Sequence, residues 1–362
     1  MITPFNRWYP ALKRYQLATI CVSLFAALVI SPAPALAAGT PAGRLIASVT
    51  GEHLERRRVV DEFVRVFASE NFQELEDIYQ KAVKEGERLP SGVFRSSTVL
   101  LDVDYAFGLY GVPLEVKDQN WTKREAAAER WAKAFPQSSA AAVFHSEFLI
   151  RHAYVFRGGG YASSVTPEGM ERFAGLVERA YQVLAAQAVS GRQDPEWHRQ
   201  MITVARLQGG RPAERYADVL KNALAAFPYF YGIYFAAATS LVPQWGGSAQ
   251  AVEAFARKAA DATKDREGQA LYARIYWSVS HMFNGDPVRN GTAEWPRLRS
   301  GFDDIVKRYP DPWNLNTYAR YACQAGDAKT LNRVFALIGS NIDEVAWQGD
   351  TDMLKACRAM AK

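Results

Sequence analysis

Ala134-Phe135-Pro136, Ala226-Phe227-Pro228 and Arg308-Tyr309-Pro310 are three occurrences of one phrase. In each, an aromatic closes a helix-like stretch, proline blocks its continuation, and a second apolar helix-like stretch follows. That punctuation belongs to a stacked array of helix hairpins. The prolines fall 92 and 82 residues apart, so each interval holds more than one hairpin and the repeat is degenerate. Strand signals are nearly absent: Asn284-Gly285 follows a helix-like stretch instead of joining two alternating runs. The expected fold is all-α, a right-handed solenoid of stacked, tetratricopeptide-like hairpins.

Helix boundaries are written in chemical terms. Thr122-x-x-Glu125 reads as a capping box. Thr166-Pro167, Asp194-Pro195 and Asp311-Pro312 place a capping oxygen before a proline at the first helical position. Gly326-Asp327 reads as a stop followed by the next cap. Between these marks the apolar spacing is helical, as in Leu271, Ile275, Val279 and Met282. The predicted helices are 54–68, 71–86, 94–110, 123–135, 137–157, 167–188, 195–208, 213–226, 229–241, 249–263, 268–283, 293–308, 312–324, 328–339 and 342–359. Segments 113–121 and 284–292 are expected loops.

The N-terminus reads as an export signal. Arg7, Lys13 and Arg14 precede an apolar run, Leu17 to Ile30, that is short for a bilayer span. Ser31-Pro32-Ala33-Pro34 breaks it, and Ala35-Leu36-Ala37 offers the small residues a signal peptidase reads. The expected organisation is a cleaved signal over 1–37, a flexible lead-in over 38–52, and one α-helical repeat domain over 53–362. The mature chain is then expected to be soluble, monomeric, and periplasmic or secreted.

Removing the leader also removes the apparent basicity. The chain has 43 basic and 38 acidic side chains, and the leader's three cations leave 40 against 38. So small an excess gives no reason to expect nucleic acid or an anionic membrane as partner. Cys323 and Cys357 are the cysteines of the mature chain. In an oxidising compartment they either pair or remain two buried thiols.

No catalytic constellation stands out, and no cofactor or metal is expected. The histidines His53, His145, His152, His198 and His281 form no i, i+4 pair. There is no Gly-x-Ser-x-Gly elbow and no phosphate-cradling glycine pattern. Arg157-Gly158-Gly159-Gly160-Tyr161 reads as a helix stop, whose bare N–H groups beside Arg157 could also hold an anion. Pro243-Gln244-Trp245-Gly246-Gly247-Ser248 reads as a turn between helices, with Trp245 either under the turn or lining a groove. Tyr272, Arg274 and Trp277 on one helix, with Asn314, Asn316 and Arg320 on another, mix aromatic, cationic and amide side chains. Such mixtures serve binding surfaces and also inter-helix packing.

The chain resembles a bacterial domain-of-unknown-function family of tetratricopeptide-like helical proteins. The likeness lies in Trp131 with Phe135-Pro136, Arg157 to Ala162, Asp194-Pro195-Glu196-Trp197, Pro243 with Trp245-Gly246-Gly247, Leu271-Tyr272-Ala273-Arg274, Tyr309-Pro310, and Asn314-Leu315-Asn316. The resemblance implies a helical-repeat fold and no established activity. Residues and resemblance together suggest an exported scaffold that binds a protein or peptide partner in the cell envelope. Its expected groove is lined by Arg157, Tyr161, Trp245, Tyr272, Arg274, Trp277, Asn314, Asn316 and Arg320. The alternative is an envelope enzyme acting on cell-wall glycan or peptide, for which Arg157, His145, His152 and Glu147 would have to converge.

Overall fold

A computed structural model describes residues 51–101, 103–109, 112–160, 162–209 and 213–361. The expected leader, most of the expected lead-in, and Tyr161 lie outside the described residues. The described residues are all-α, with no strand among them; Arg88 and Phe94 form an isolated bridge. The main helices are α1 (Gly51–Ala68), α2 (Phe72–Lys84), α3 (Arg95–Leu101), α4 (Leu114–Ala134), α5 (Ser139–Arg157), α6 (Pro167–Ala186), α7 (Pro195–Leu207) and α8 (Ala213–Ala226). They continue with α9 (Tyr231–Leu241), α10 (Ala249–Ala262), α11 (Ala270–Ser278), α12 (Trp295–Arg308), α13 (Pro312–Gln324), α14 (Ala328–Ile338) and α15 (Thr351–Met360).

The caps at Thr166, Asp194 and Asp311 form as their sequence implies, each side chain accepting a first-turn N–H ahead of a proline. Phe135 and Tyr309 each cap a helix ahead of proline, in backbone too extended to continue it. Four expectations need correction. Thr122 caps nothing: α4 begins at Leu114, inside the expected loop, and the Thr122 hydroxyl donates to the Asp118 carbonyl within the helix. The lead-in ends before Gly51, where α1 starts, because Glu52 is buried and bonded. The expected 94–110 helix reaches no further than Ala106, with Gly108 at φ +64° beyond it. The last helix shrinks to Thr351–Met360, because Gly339, Gln348 and Gly349 take positive φ and Asp350 caps the chain afresh.

Helices pack mainly on sequence neighbours: α4 on α5, α5 on α6, α7 on α8 and α9, α11 on α12, and α13 on α14. The apolar interior falls into two large clusters. One runs from Val59 to Leu207 and is built on Phe63, Trp121, Trp131, Phe144 and Phe148. The other runs from Tyr231 to Cys357 and is built on Tyr272, Tyr276, Phe302, Tyr318 and Trp347. Trp245 packs against both. The beginning and end of the described chain also meet. His53 Nε2 lies 2.9 Å from Asp343 Oδ2, and the Arg56 guanidinium sits 4.7 Å from the Trp313 ring. Cys323 and Cys357 form a disulfide, with Cα atoms 5.6 Å apart, that ties α15 to α13.

Candidate functional site

The inner residues expected to line a groove are occupied by the chain itself. Between α2 and α3 a strap, residues 85–94, folds inward. Its Ser91 carbonyl accepts from Arg274 Nη2 at 2.7 Å and from Asn314 Nδ2 at 3.1 Å, and its Ser91 N–H donates to Glu52 Oε2 at 2.8 Å. Phe94 packs at a tilt against Phe230, ring centroids 4.5 Å apart, and the Arg88 guanidinium covers Phe94 at 4.0 Å and Tyr231 at 4.6 Å. Gly92 is required twice over: its φ is +86°, and a Cβ there would stand 2.6 Å from the Tyr309 ring and 2.8 Å from Arg274 Nη2. Arg274 and Asn314 therefore read a main-chain carbonyl, as residues of a peptide groove would, but the peptide is their own.

The remaining inner candidates are also absorbed, which corrects the expectation of one open groove. Asn316 donates to the carbonyls of Pro312 (2.8 Å) and Asn341 (2.9 Å) and accepts from Trp347 Nε1 (2.9 Å), pinning the segment after α14. The Tyr272 hydroxyl donates to Glu253 Oε2 at 2.7 Å and accepts from the Glu294 N–H at 2.9 Å. Trp277 packs edge-on against Trp313 at 4.9 Å. Arg320 is buried beside Tyr321, and desolvation holds its guanidinium below the usual range.

Arg157 and Trp245 are brought together elsewhere, at 5.6 Å from guanidinium carbon to ring centroid. Arg157 ends α5; Gly158, at φ +66°, turns the chain away, and Arg157 Nη1 donates at 3.2 Å to the carbonyls of both Gly158 and Gly160. Trp245 sits on a single turn, Pro243–Trp245, closed by Gly246 at φ +84°. Gly247 admits no other residue, since a Cβ would lie 2.0 Å from the Leu241 carbonyl oxygen. A second cation, Arg206 from the last turn of α7, lies closer still, 4.1 Å from the Trp245 centroid. Sequence gives no sign of it, because a basic residue near a helix C-terminus is ordinary.

Neither Arg157 nor Arg206 has a carboxylate within ion-pair distance among the described residues. Arg206 Nε and Nη1 are buried without a hydrogen-bond partner. Desolvation lowers the Arg206 pKa; Tyr154 and Tyr216 partly offset that, and Arg157 adds to it. The three side chains are each half-buried, and the Gly158–Gly160 loop beside them is exposed. The result is a cationic, aromatic cluster at the surface with no carboxylate partner among the described residues.

The titratable groups on α5 do not share one pocket. Glu147 accepts from Arg151 Nε (2.7 Å) and Gln200 Nε2 (2.9 Å). His152 bridges Glu125 Oε1 (2.6 Å) and Asp118 Oδ1 (2.5 Å). His145 lies buried near Glu129 and Glu125, with desolvation lowering its pKa. Deeper in, Glu196 accepts from Ser96 Oγ (3.0 Å), Ser97 Oγ (2.6 Å) and Arg199 Nε (2.6 Å), clamping α3 to α7. Asp194 accepts from the Tyr79 hydroxyl at 2.9 Å, and burial pushes its carboxyl up to about 6. These are bonded carboxylates between helices, with their oxygens committed to structure. No group of His, Cys, Asp and Glu among the described residues has the arrangement to hold a metal ion. A shallow depression lined by Ala328, Lys329, Asn332, Arg333, Met360 and Ala361 contains none of the candidates. No helix among the described residues is long and apolar enough to cross a membrane. No family model, curated protein or solved structure matches this chain.

Proposed function

We propose that this is an exported, monomeric scaffold of degenerate tetratricopeptide-like hairpins, a right-handed solenoid that binds a protein or peptide partner in the cell envelope and performs no chemistry itself. The observation that supports it is the cleft of Arg157, Arg206 and Trp245. Aromatic and arginine side chains supply most anchors at protein interfaces, and here they sit half-exposed without an acid partner among the described residues. The order of helix packing supports a repeat architecture, in which neighbouring units hold a surface rigid for recognition. The strap adds a second constraint: Arg274 and Asn314 are already spent, so a partner docks at the cleft and not on the inner face.

The test is capture in the organism that makes the protein. The tagged chain is cross-linked in intact cells, and the partners of wild type, Trp245→Ala and Arg274→Ala are compared. A partner lost only with Trp245→Ala supports the proposal. A partner set unchanged by Trp245→Ala, in a chain that still folds, removes the cleft from the function.

A further inference from the structure

We infer that the cleft of Arg157, Arg206 and Trp245 reads carboxylates, and that the segment it takes from a partner is an acidic peptide. The inference rests on the scaffold proposal and adds the ligand's chemistry. Two guanidinium groups share the Trp245 ring, at 5.6 and 4.1 Å. Each gains from the ring's negative face, yet both are positive and both lose water where they stand. Elsewhere in this fold arginines are held in two ways: Arg124, Arg274 and Arg320 lie over aromatic rings with no ion pair among the described residues, and others meet an acid. Arg199 meets Glu196, Arg151 meets Glu147 and Arg257 meets Glu253. Here the described chain offers the carbonyls of Gly158 and Gly160, bonded to one nitrogen of Arg157, and the Tyr154 hydroxyl beside Arg206, but no carboxylate within ion-pair distance. What sets Arg157 and Arg206 apart is that two cations share one half-exposed ring, and such a patch complements an anionic group on a partner.

The geometry selects the kind of anion. A guanidinium is a flat fork that matches a carboxylate with two parallel hydrogen bonds, and an aromatic beneath it holds the fork in plane. The exposed glycine loop at 158–160 puts no side chain in the path of an approaching main chain. The near balance of charge in the chain without its leader, 40 cations against 38 acids, supplies no net positive field to favour a nucleic acid. The carboxylate can come from an Asp or Glu side chain or from a chain terminus; both present the same planar group.

Binding is measured by surface plasmon resonance on the folded mature chain with three immobilised Gly-Ser peptides. One carries internal Glu residues and an amidated C-terminus, one carries Gln in their place and a free C-terminus, and one carries Gln and an amide. Binding to the first marks side-chain carboxylates and binding to the second a terminal one; either exceeds the third and weakens with added salt. Arg157→Gln weakens it by about tenfold or more, the loss of one charge-assisted pair. Arg157 is half-exposed, so this variant keeps its fold where Arg206→Gln is at risk, and a thermal melt checks both. Equal binding to all three peptides, or a preference that survives Arg157→Gln, overturns the inference. The scaffold proposal fails separately. A cellular partner that needs Trp245 but tolerates Arg157→Gln leaves the scaffold and removes the carboxylate. Peptide binding with no cellular partner does the reverse.

Discussion

Asp194 does two jobs that oppose each other. It caps α7 by accepting from the Glu196 N–H at 2.9 Å, and it is buried where ionisation is costly. Burial moves its carboxyl from the ordinary 3.8 to about 6. Between those values the folded chain keeps a proton that the unfolded chain releases, so this group's contribution falls as pH rises through that window and is level above it. The full cost is roughly 3 kcal/mol. Asp194→Asn removes the titration, so the variant's stability relative to wild type should improve between pH 4.5 and pH 7.5; parallel denaturant melts check it. His152 has the opposite sense. Desolvation alone would lower its pKa, but hydrogen bonds to Glu125 and Asp118 outweigh it and raise it. Its stabilisation is complete below the ordinary 6.5 and is lost as pH rises through the raised value. Desolvation lowers His145, His198 and His281. Imidazole NMR titrations should therefore find His152 above 6.5 and those three below it. Of the cleft, Arg157 and Trp245 were legible because each adjoins a glycine cluster. Arg206 was not, since its partner across the cleft is thirty-nine residues away in sequence, from 206 to 245.

Caps and prolines show how far local chemistry defines an element. Where an oxygen-bearing side chain stands just before proline, as at Thr166, Asp194 and Asp311, the predicted start coincides with the observed one. Thr122-x-x-Glu125 carried the same kind of signal and misled, because Glu125 turns inward to His152 and Thr122 is an exposed residue within α4. A capping box is a statement about two side chains, and tertiary contacts claimed one of them. Thr122→Ala should then shift stability by no more than about 0.5 kcal/mol. Ser248→Ala should cost about 1 kcal/mol, because the Ser248 hydroxyl accepts the Ala251 N–H at 3.0 Å at the start of α10. Thermal melts of the two variants side by side separate a true cap from an apparent one. The strap had no local signature either: Pro90-Ser91-Gly92 reads as a turn, and only partners 183 and 223 residues away make it a plug.

At the scale of the whole molecule, helices that neighbour in sequence pack together, and long-range contacts then tie the start of the described chain to its end. The all-α class was legible from periodicity, since helices such as α10, α12 and α14 carry their own apolar stripe. The occupation of the inner face was not, because it depends on where separate helices place Ser91, Arg274 and Asn314. The disulfide is the strongest tie at the C-terminal end. Cys357 is the one fully buried residue of α15; Met353, Leu354 and Met360 pack against the core only partly buried. Closing a loop with a sequence separation of 34 is worth roughly 4 kcal/mol in the chain-entropy treatment. Cys357→Ser should release α15 first, seen as faster amide exchange over 351–360 with α4 to α7 unchanged. The most direct test of docking at the cleft uses a photo-crosslinking amino acid at exposed Gln244, beside an intact Trp245, in one chain and at Trp277 in another, activated in intact cells. Capture of one partner from position 244, with none from position 277, is the predicted result. Capture from 277 alone would contradict it, and would mean that the strap leaves and the inner face binds after all.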